Sequence, residues 1–312
     1  MNIVDKNFYE LINLLKQMNT EEIYENIKTN YMKVHPDTRK SIEKFVNDFK
    51  YWGELDSNNN VFNLLYEKAI SLHDHVNDYV WLYEKLNDYR SKKLLFGILN
   101  NWYKYDFITL KECYDNTFKH YFNLNLIPTC KDSIFVDLGA YNGDTILDYI
   151  NIYGIESYKK IYAYDITKDS IAIMKNNLAN YPNIIYRNIA ISDKDEILSF
   201  KESNIDASAN VIASDGNIKI DATTIDNDIK EKITIIKMDI EGYEQKAITG
   251  SFKHIKEDTP ILLISVYHNN EDLWKIPKMI YEFNSNYDMY LSTHGNNVFP
   301  TEIVLTCIPK IK

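Results

Sequence analysis

Apolar residues recur at two different periods along this chain, and the change falls near residue 130. Before it, Phe8, Leu11, Ile12 and Leu15 stand three and four apart, as do Phe62, Leu65, Tyr66 and Ala69. That spacing lines one face of an α-helix. Similar patterns at 20–33, 38–51, 77–103 and 106–122 predict an all-helical N-terminal region. Beyond it, short β-rich runs alternate with helical stretches: IFVDL at 134–138, IYAYD at 161–165, IIYRNIAIS at 184–192, ITIIKMD at 233–239 and ILLISVY at 261–267. Strands separated by helices imply a parallel sheet covered on both faces. The last two runs, YDMYLST at 287–293 and EIVLTCI at 302–308, have Gly295, Asn296 and Asn297 between them and no helical stretch. They predict a C-terminal antiparallel hairpin. The expected architecture is α/β, a Rossmann-like sheet following helices, divided into a helical region 1–125 and a sheet domain 126–312.

Composition narrows the partners. A hydrophobic content of 45% over 312 residues suits a folded, core-forming chain. The net charge of −10 opposes binding to nucleic acid or an anionic membrane and leaves a small molecule or a glycan as the expected partner. No stretch approaches the roughly 20 apolar residues of a membrane span, and the start MNIVDKNFYE lacks a signal peptide's basic and apolar regions. A cytoplasmic location is expected, with the oligomeric state open and a homodimer compatible. Cys113, Cys130 and Cys307 are too scattered for a disulfide framework or a zinc site and are read as reduced thiols.

Open parallel sheets bind ligands beyond the carboxyl ends of their strands. Those ends are acidic here. The first run leads into Asp137, Gly139, Ala140, Tyr141, Asn142, Gly143, Asp144 and Thr145. This loop resembles a nucleotide-binding turn, with Gly139 admitting close approach and Gly143 opening a helix capped by Asp144 or Thr145. A pyrophosphate needs a three-glycine fingerprint or a P-loop lysine, and neither stands at this turn. Asp137 and Asp144 instead suit a ligand that carries a sulfonium and an ammonium, which describes S-adenosylmethionine. Asp165, followed by Ile166, lies 22 residues past Gly143, a suitable distance for a carboxylate that accepts from ribose hydroxyls. Ser192 and Asp193 are candidates to accept from the adenine amino group.

On these residues the chain resembles the FkbM family of S-adenosylmethionine-dependent methyltransferases. The resemblance rests on VDLGAYNGDT at 136–145, AYDIT at 163–167, IAISD at 189–193, IDATTID at 220–226 and, most specifically, IIKMDIEGYEQKAITGSFKHIKEDTPILLISVYH at 235–268. The family's K-x-D-x-E-G-x-E block is met by Lys237, Asp239, Glu241, Gly242 and Glu244. The resemblance reaches upstream to about residue 82 and leaves the first 75 or so outside. Two positions depart from the family pattern: Asp165-Ile166-Thr167 stands for Glu-Pro after the second strand, and the fifth strand leads into Ser265-Val266-Tyr267-His268 where many members end in Glu. The resemblance implies a class I methyltransferase fold and O-methyl transfer to a sugar, a polysaccharide precursor or a glycosylated metabolite.

Methyl transfer from a sulfonium needs alignment above all, together with a base for the acceptor hydroxyl. His268 is the first candidate for that base, since it titrates near neutrality and follows a strand at the expected ligand edge. Asp239, also a cofactor candidate, and Glu241 are the further catalytic candidates: they would hold the methionine ammonium or orient the acceptor, with the base role ranked below these. Asp239, Glu241 and His268 are chemically able to share a divalent metal, but no tight ligand spacing supports one and none is assigned. The competing readings are a nicotinamide-dependent oxidoreductase acting on a nucleotide sugar, which would need the missing glycine fingerprint, and a non-enzymatic helical scaffold, against which the intact acidic strand ends speak.

Overall fold

A computed structural model describes residues 1–49, 51–201, 211–212, 216–295 and 298–310. Asn296 and Asn297 of the expected hairpin turn lie outside these residues. The chain forms two units, each discontinuous in sequence. The first comprises Met1–Asn116, Val266–Lys278 and Asp288–Leu305, and the second Thr117–Ser265, Met279–Tyr287 and Thr306–Lys312.

Helices dominate the first unit: α1 (Ile3–Leu15), α2 (Thr20–Lys33), α3 (Pro36–Phe49), α4 (Asn63–Asp74), α5 (Val76–Lys85), α6 (Tyr89–Lys104) and α7 (Ile108–Cys113). The predicted apolar stripe is the buried one, with Phe8, Leu11, Ile12 and Leu15 of α1 at 0–3% exposure. Asn2 and Asp5 start that helix with a reciprocal capping box, which satisfies two otherwise orphaned backbone donors. The stretch 77–103 is two helices and not one. The chain leaves α5 at Leu86, which bridges Met289, and restarts at Asp88, whose carboxylate accepts from the Ser91 amide at 2.8 Å. The stretch 106–122 is helical only over α7; Tyr114 then pairs with Thr293.

The strands are β1 (Ser133–Leu138), β2 (Tyr158–Tyr164), β3 (Ile184–Arg187), β4 (Ala190–Ile191), β5 (Glu196–Lys201), β6 (Val211–Ile212), β7 (Ile218–Thr223), β8 (Ile235–Met238), β9 (Ile261–Ser265), β10 (Tyr287–Thr293) and β11 (Ile303–Pro309). Seven of them form a sheet of order β10-β11-β9-β8-β1-β2-β3. β1 runs parallel to both β2 and β8, β2 to β3, and β8 to β9. β1 and β8 are buried along their whole length, which is why their sequences read as unbroken apolar runs and not as alternation. β10 and β11 are neighbours in the sheet and consecutive in the chain, the hairpin expected of the last two runs. Strand order reverses direction at β1, so the crevice beyond the ends of β1, β2 and β8 is the ligand position this topology favours.

The run 184–192 is divided where one strand was expected. Its first half is β3 at the sheet edge, and its second half is β4 in a separate sheet of order β4-β7-β5-β6. Between the halves the Asn188 side-chain Nδ2 donates to the Asp165 carbonyl at 3.1 Å, where the chain turns away from the ladder. α8 (Asp144–Tyr153) and α9 (Lys168–Asn177) follow β1 and β2, and α10 (Ile225–Asp228), α11 (Glu244–Thr249) and α12 (Asp272–Phe283) complete the helices. Among the described residues no helix is long and apolar enough to cross a membrane.

Candidate functional site

The second unit's crevice is built from three strand ends that are tied to each other. After β1, the amides of Gly139 and Ala140 both donate to the Tyr164 carbonyl at the end of β2, at 3.1 and 2.9 Å. On the other side, the backbone of β8 leaves no room. A Cβ built on Gly139 would stand 1.8 Å from the Asp239 carbonyl, and φ here is +75°. Glycine is required twice over, for the left-handed backbone and for the close approach. Gly143, at φ +84°, occupies the N-cap of α8. The helix therefore begins at Asp144 with no side-chain cap, where Asp144 or Thr145 was expected to supply one.

Asp165, just past β2, organises the loop. Its Oδ1 accepts from the amide and hydroxyl of Thr167, at 2.8 and 3.0 Å, and its Oδ2 accepts from the Tyr141 amide at 3.1 Å. Burial pushes its carboxyl up from the ordinary value against the lowering effect of these hydrogen bonds. Oδ2, with one hydrogen bond, retains acceptor capacity toward a ligand.

These residues border one cavity. Leu138, Gly139 and Asp165 form its floor with Asp239 and Glu241, while Ile189, Ala190, Ile191 and Ile212 form an apolar wall, and Tyr243 also lines it. The space open to a water-sized sphere is about 50 Å³. Glu241 adopts φ +55° and Gly242 φ +94°. Left-handed backbone at a non-glycine residue persists only where neighbours fix it, and is concentrated at functional sites. The neighbour here is Glu244, fully buried, which accepts from the Ile240 amide at 2.9 Å. The spacing of the E-G-x-E motif is thus the spacing of a turn and the carboxylate that holds it.

Beneath the floor lies an ion pair. Lys237 Nζ is 3.1 Å from Asp137 Oδ1 and both side chains are buried. The same ammonium donates to the Gly139 carbonyl at 2.8 Å. Burial pushes the Asp137 carboxyl up, partly offset by Lys237. Burial opposes the charge on Lys237, but Asp137 and Asp239 outweigh it and its ammonium is held above the ordinary value. Above the pair, the Tyr121 hydroxyl donates to Asp239 Oδ2 at 2.7 Å, and the Tyr121 ring centroid is 5.3 Å from Lys237 Nζ.

Of the residues singled out in the sequence, Gly139, Asp165, Ile166, Asp239 and Glu241 meet at this cavity. Ala140 and Tyr141 contribute loop backbone. Asp137 sits inside the sheet, and its contacts give it the task of holding Lys237. Asp144 is exposed at the start of α8, Asn142 Oδ1 accepts from its amide at 3.0 Å, and its own carboxylate accepts from the Thr145 amide at 2.7 Å. Ser192 is buried and bonded to Asp193 and Glu196, while the residues before it form the apolar wall. His268 belongs to the first unit, where it is 1% exposed with its ring 5.5 Å from that of Tyr51. Sequence reasoning missed Tyr121, Tyr243 and the Ile189–Ile191 wall. The unbroken apolar character of IAI was the available signal for the wall; nothing marked Tyr121 among the chain's 25 tyrosines.

A mostly parallel seven-stranded sheet of order β10-β11-β9-β8-β1-β2-β3, with a helical region before it, is the class I methyltransferase fold. The sequence profile of the methyltransferase FkbM domain matches residues 137–298, just over half of the chain. The chain belongs to this family, whose methyl donor is S-adenosylmethionine. Among solved structures, the FkbM methyltransferase from Methylobacillus flagellatus KT is similar at 22% identity with a TM-score of 0.65, covering 76% of this chain and 60% of that one. The chain thus spans less than two thirds of that protein. An rRNA methylase from Streptococcus thermophilus is matched at 16% identity with a TM-score of 0.37, over 60% of this chain and 92% of that one. No curated protein matches.

Proposed function

We propose that the protein is a methyltransferase that moves the methyl group of S-adenosylmethionine to a hydroxyl oxygen of a sugar, a polysaccharide precursor or a glycosylated metabolite. The observation that carries the donor site is the Gly139 cradle beside Asp165. The loop backbone packs so closely on the Asp239 carbonyl that only glycine fits, and Asp165 Oδ2 has acceptor capacity left for a ribose hydroxyl. The Ile189–Ile191 wall and Ile212 present an apolar surface on which an adenine ring can lie. Asp239 and Glu241 would hold the donor's cationic end, since their charges complement an ammonium and a sulfonium.

Bound S-adenosylmethionine supplies an activated methyl on a sulfonium, so what the protein adds is alignment and proton removal. Tyr121 fixes the Asp239 carboxylate, and the strained Glu241–Gly242 turn, held by Glu244, fixes the second acid. His268 is assigned on its chemistry as the base that takes the acceptor's proton. The net charge of −10 favours a neutral glycan acceptor over nucleic acid. The test is transfer of labelled methyl from S-adenosylmethionine to a panel of sugar nucleotides and oligosaccharides. Label in a base-stable ether methyl supports O-methylation of a sugar; label found solely in amine or thiol acceptors overturns it. Turnover lost in His268→Ala with S-adenosylhomocysteine affinity kept would assign the base, and unchanged turnover would exclude it.

A further inference from the structure

A second cleft is built wholly from the first unit and shares no lining residue with the methyl-donor cavity. It offers about 520 Å³, within the range of small-molecule sites. One wall is a face of α4, where Asn63, Glu67 and Ser71 follow one another at intervals of four and so share a side of the helix. Residues 269–271 form a second wall, and residues 51–53 a third. Hydrogen bonds brace these walls. The Trp52 indole donates to the Tyr267 carbonyl at 2.6 Å, the Ser71 hydroxyl to the Asn270 carbonyl at 3.3 Å, and the Asn269 amide to the buried Asp272 carboxylate at 2.8 Å. The cleft is therefore formed before a ligand enters.

Its chemistry selects one class of ligand. Among the described residues no lysine or arginine lines it, whereas Glu67 and Glu271 do, so a phosphate or carboxylate meets repulsion. Glu271 is neutralised by Lys275 at 2.7 Å, while Glu67 is exposed and has no ion-pair partner among the described residues. His75 is fixed by Asp78 Oδ2, 2.9 Å from its Nδ1, and by stacking on Trp274 with ring centroids 4.0 Å apart. Its Nε2 is left to accept from a hydroxyl. Carboxylate, amide and imidazole groups beside the half-buried Tyr51 ring suit a molecule with hydroxyls at its rim and C–H groups on its faces, which describes an uncharged sugar. The cleft also adjoins His268. That residue directly precedes the 269–271 wall, and its ring is 5.5 Å from that of Tyr51.

We propose that this cleft binds an uncharged sugar ring, the part of the acceptor next to the ring that is methylated, with Glu67 and His75 accepting from its hydroxyls. The sugar class comes from the cleft's own residues; its role as part of the acceptor rests on the proposed O-methylation with His268 as base.

The probes are neutral disaccharides of glucose, galactose and mannose, with glucuronate-bearing and amine-bearing counterparts, titrated against the full chain and followed by saturation-transfer NMR. At least one neutral disaccharide is expected to bind saturably and more tightly than its charged counterparts. Glu67→Ala, an exposed change on α4, is expected to weaken it about tenfold, the loss of one hydrogen bond to a charged group. His75→Phe, which keeps a ring over Trp274, is expected to weaken it about threefold, the loss of a neutral one. S-adenosylhomocysteine affinity is expected to stay unchanged in both, which also reports that they fold; should His75→Phe fail to fold, Glu67→Ala decides. No saturable binding of any neutral disaccharide, equal affinity for a charged counterpart, or unchanged affinity in either folded variant overturns the proposal. Binding that both variants weaken, without methyl transfer to any saccharide, keeps the cleft as a sugar site and overturns the O-methylation instead.

Discussion

The hydroxyl of Tyr121 donates a 2.7 Å hydrogen bond to the carboxylate of Asp239, 118 residues later in the chain. The same hydroxyl stands 3.2 Å from Ser265 Oγ, at the end of β9. One side chain from the segment before β1 thus tethers the acid that ends β8, while its ring faces the Lys237 ammonium.

Tyr121→Phe keeps the ring and removes only the bond. A hydrogen bond to a charged group contributes about 1.5–3 kcal/mol, so turnover is expected to fall roughly 10- to 100-fold, with S-adenosylhomocysteine affinity less affected. Kinetics and calorimetry on the same preparation separate the two. Equal losses in both would mean that Tyr121 supports the fold of the site and not the acid.

Two glycines distinguish close approach from backbone freedom. Gly154 has φ +84° but nothing within 4 Å of the position a Cβ would take, whereas the same atom on Gly139 would overlap the Asp239 carbonyl. Gly154→Ala is expected to cost about 1–3 kcal/mol, from backbone strain alone, and to leave ligand affinity unchanged. Gly139→Ala adds overpacking of about 1–3 kcal/mol and is expected to abolish S-adenosylhomocysteine binding. Urea unfolding with parallel titrations checks both.

Lys237→Met leaves Asp137 buried beside no cation. Losing one partner of a buried pair costs about 3–5 kcal/mol. Burial already raises the folded pKa of Asp137, and removing Lys237 raises it further. A raised carboxyl favours the folded state below its unfolded value, and that contribution is lost as pH climbs through the folded value. The variant's deficit is therefore expected to shrink on acidification from neutral pH, as Asp137 takes up a proton in the folded state. Denaturation at neutral and at mildly acidic pH checks this, and a deficit that grows on acidification would contradict it.

Much of this fold was legible because it rests on periodicity. The helical N-terminal region, the five apolar runs and the closing hairpin each follow from which faces are buried. The division of 184–192 was hidden because both halves are apolar, and the turn between them carries a hydrogen bond from the Asn188 side chain to the Asp165 backbone. In the site, Gly139, Asp165, Asp239 and Glu241 could be found because a sheet of this kind presents its strand ends to the ligand. Asp137 carries the same chemistry in sequence as its neighbours, and its burial depends on Lys237, 100 residues away. Tyr121 gave no signal, since it lies in a loop with φ +69° where helical spacing was expected to continue.

The central claim is a methyl-donor site at Gly139 and Asp165, and calorimetry tests it most directly. S-adenosylhomocysteine is expected to bind the wild-type protein stoichiometrically, NAD to give no heat, and Asp165→Ala to weaken the homocysteine ligand about 10- to 100-fold, the loss of hydrogen bonds to a charged acceptor, while its melt remains cooperative. Tight binding of NAD with no response to S-adenosylhomocysteine, or unchanged affinity in a folded Asp165→Ala, would contradict the account.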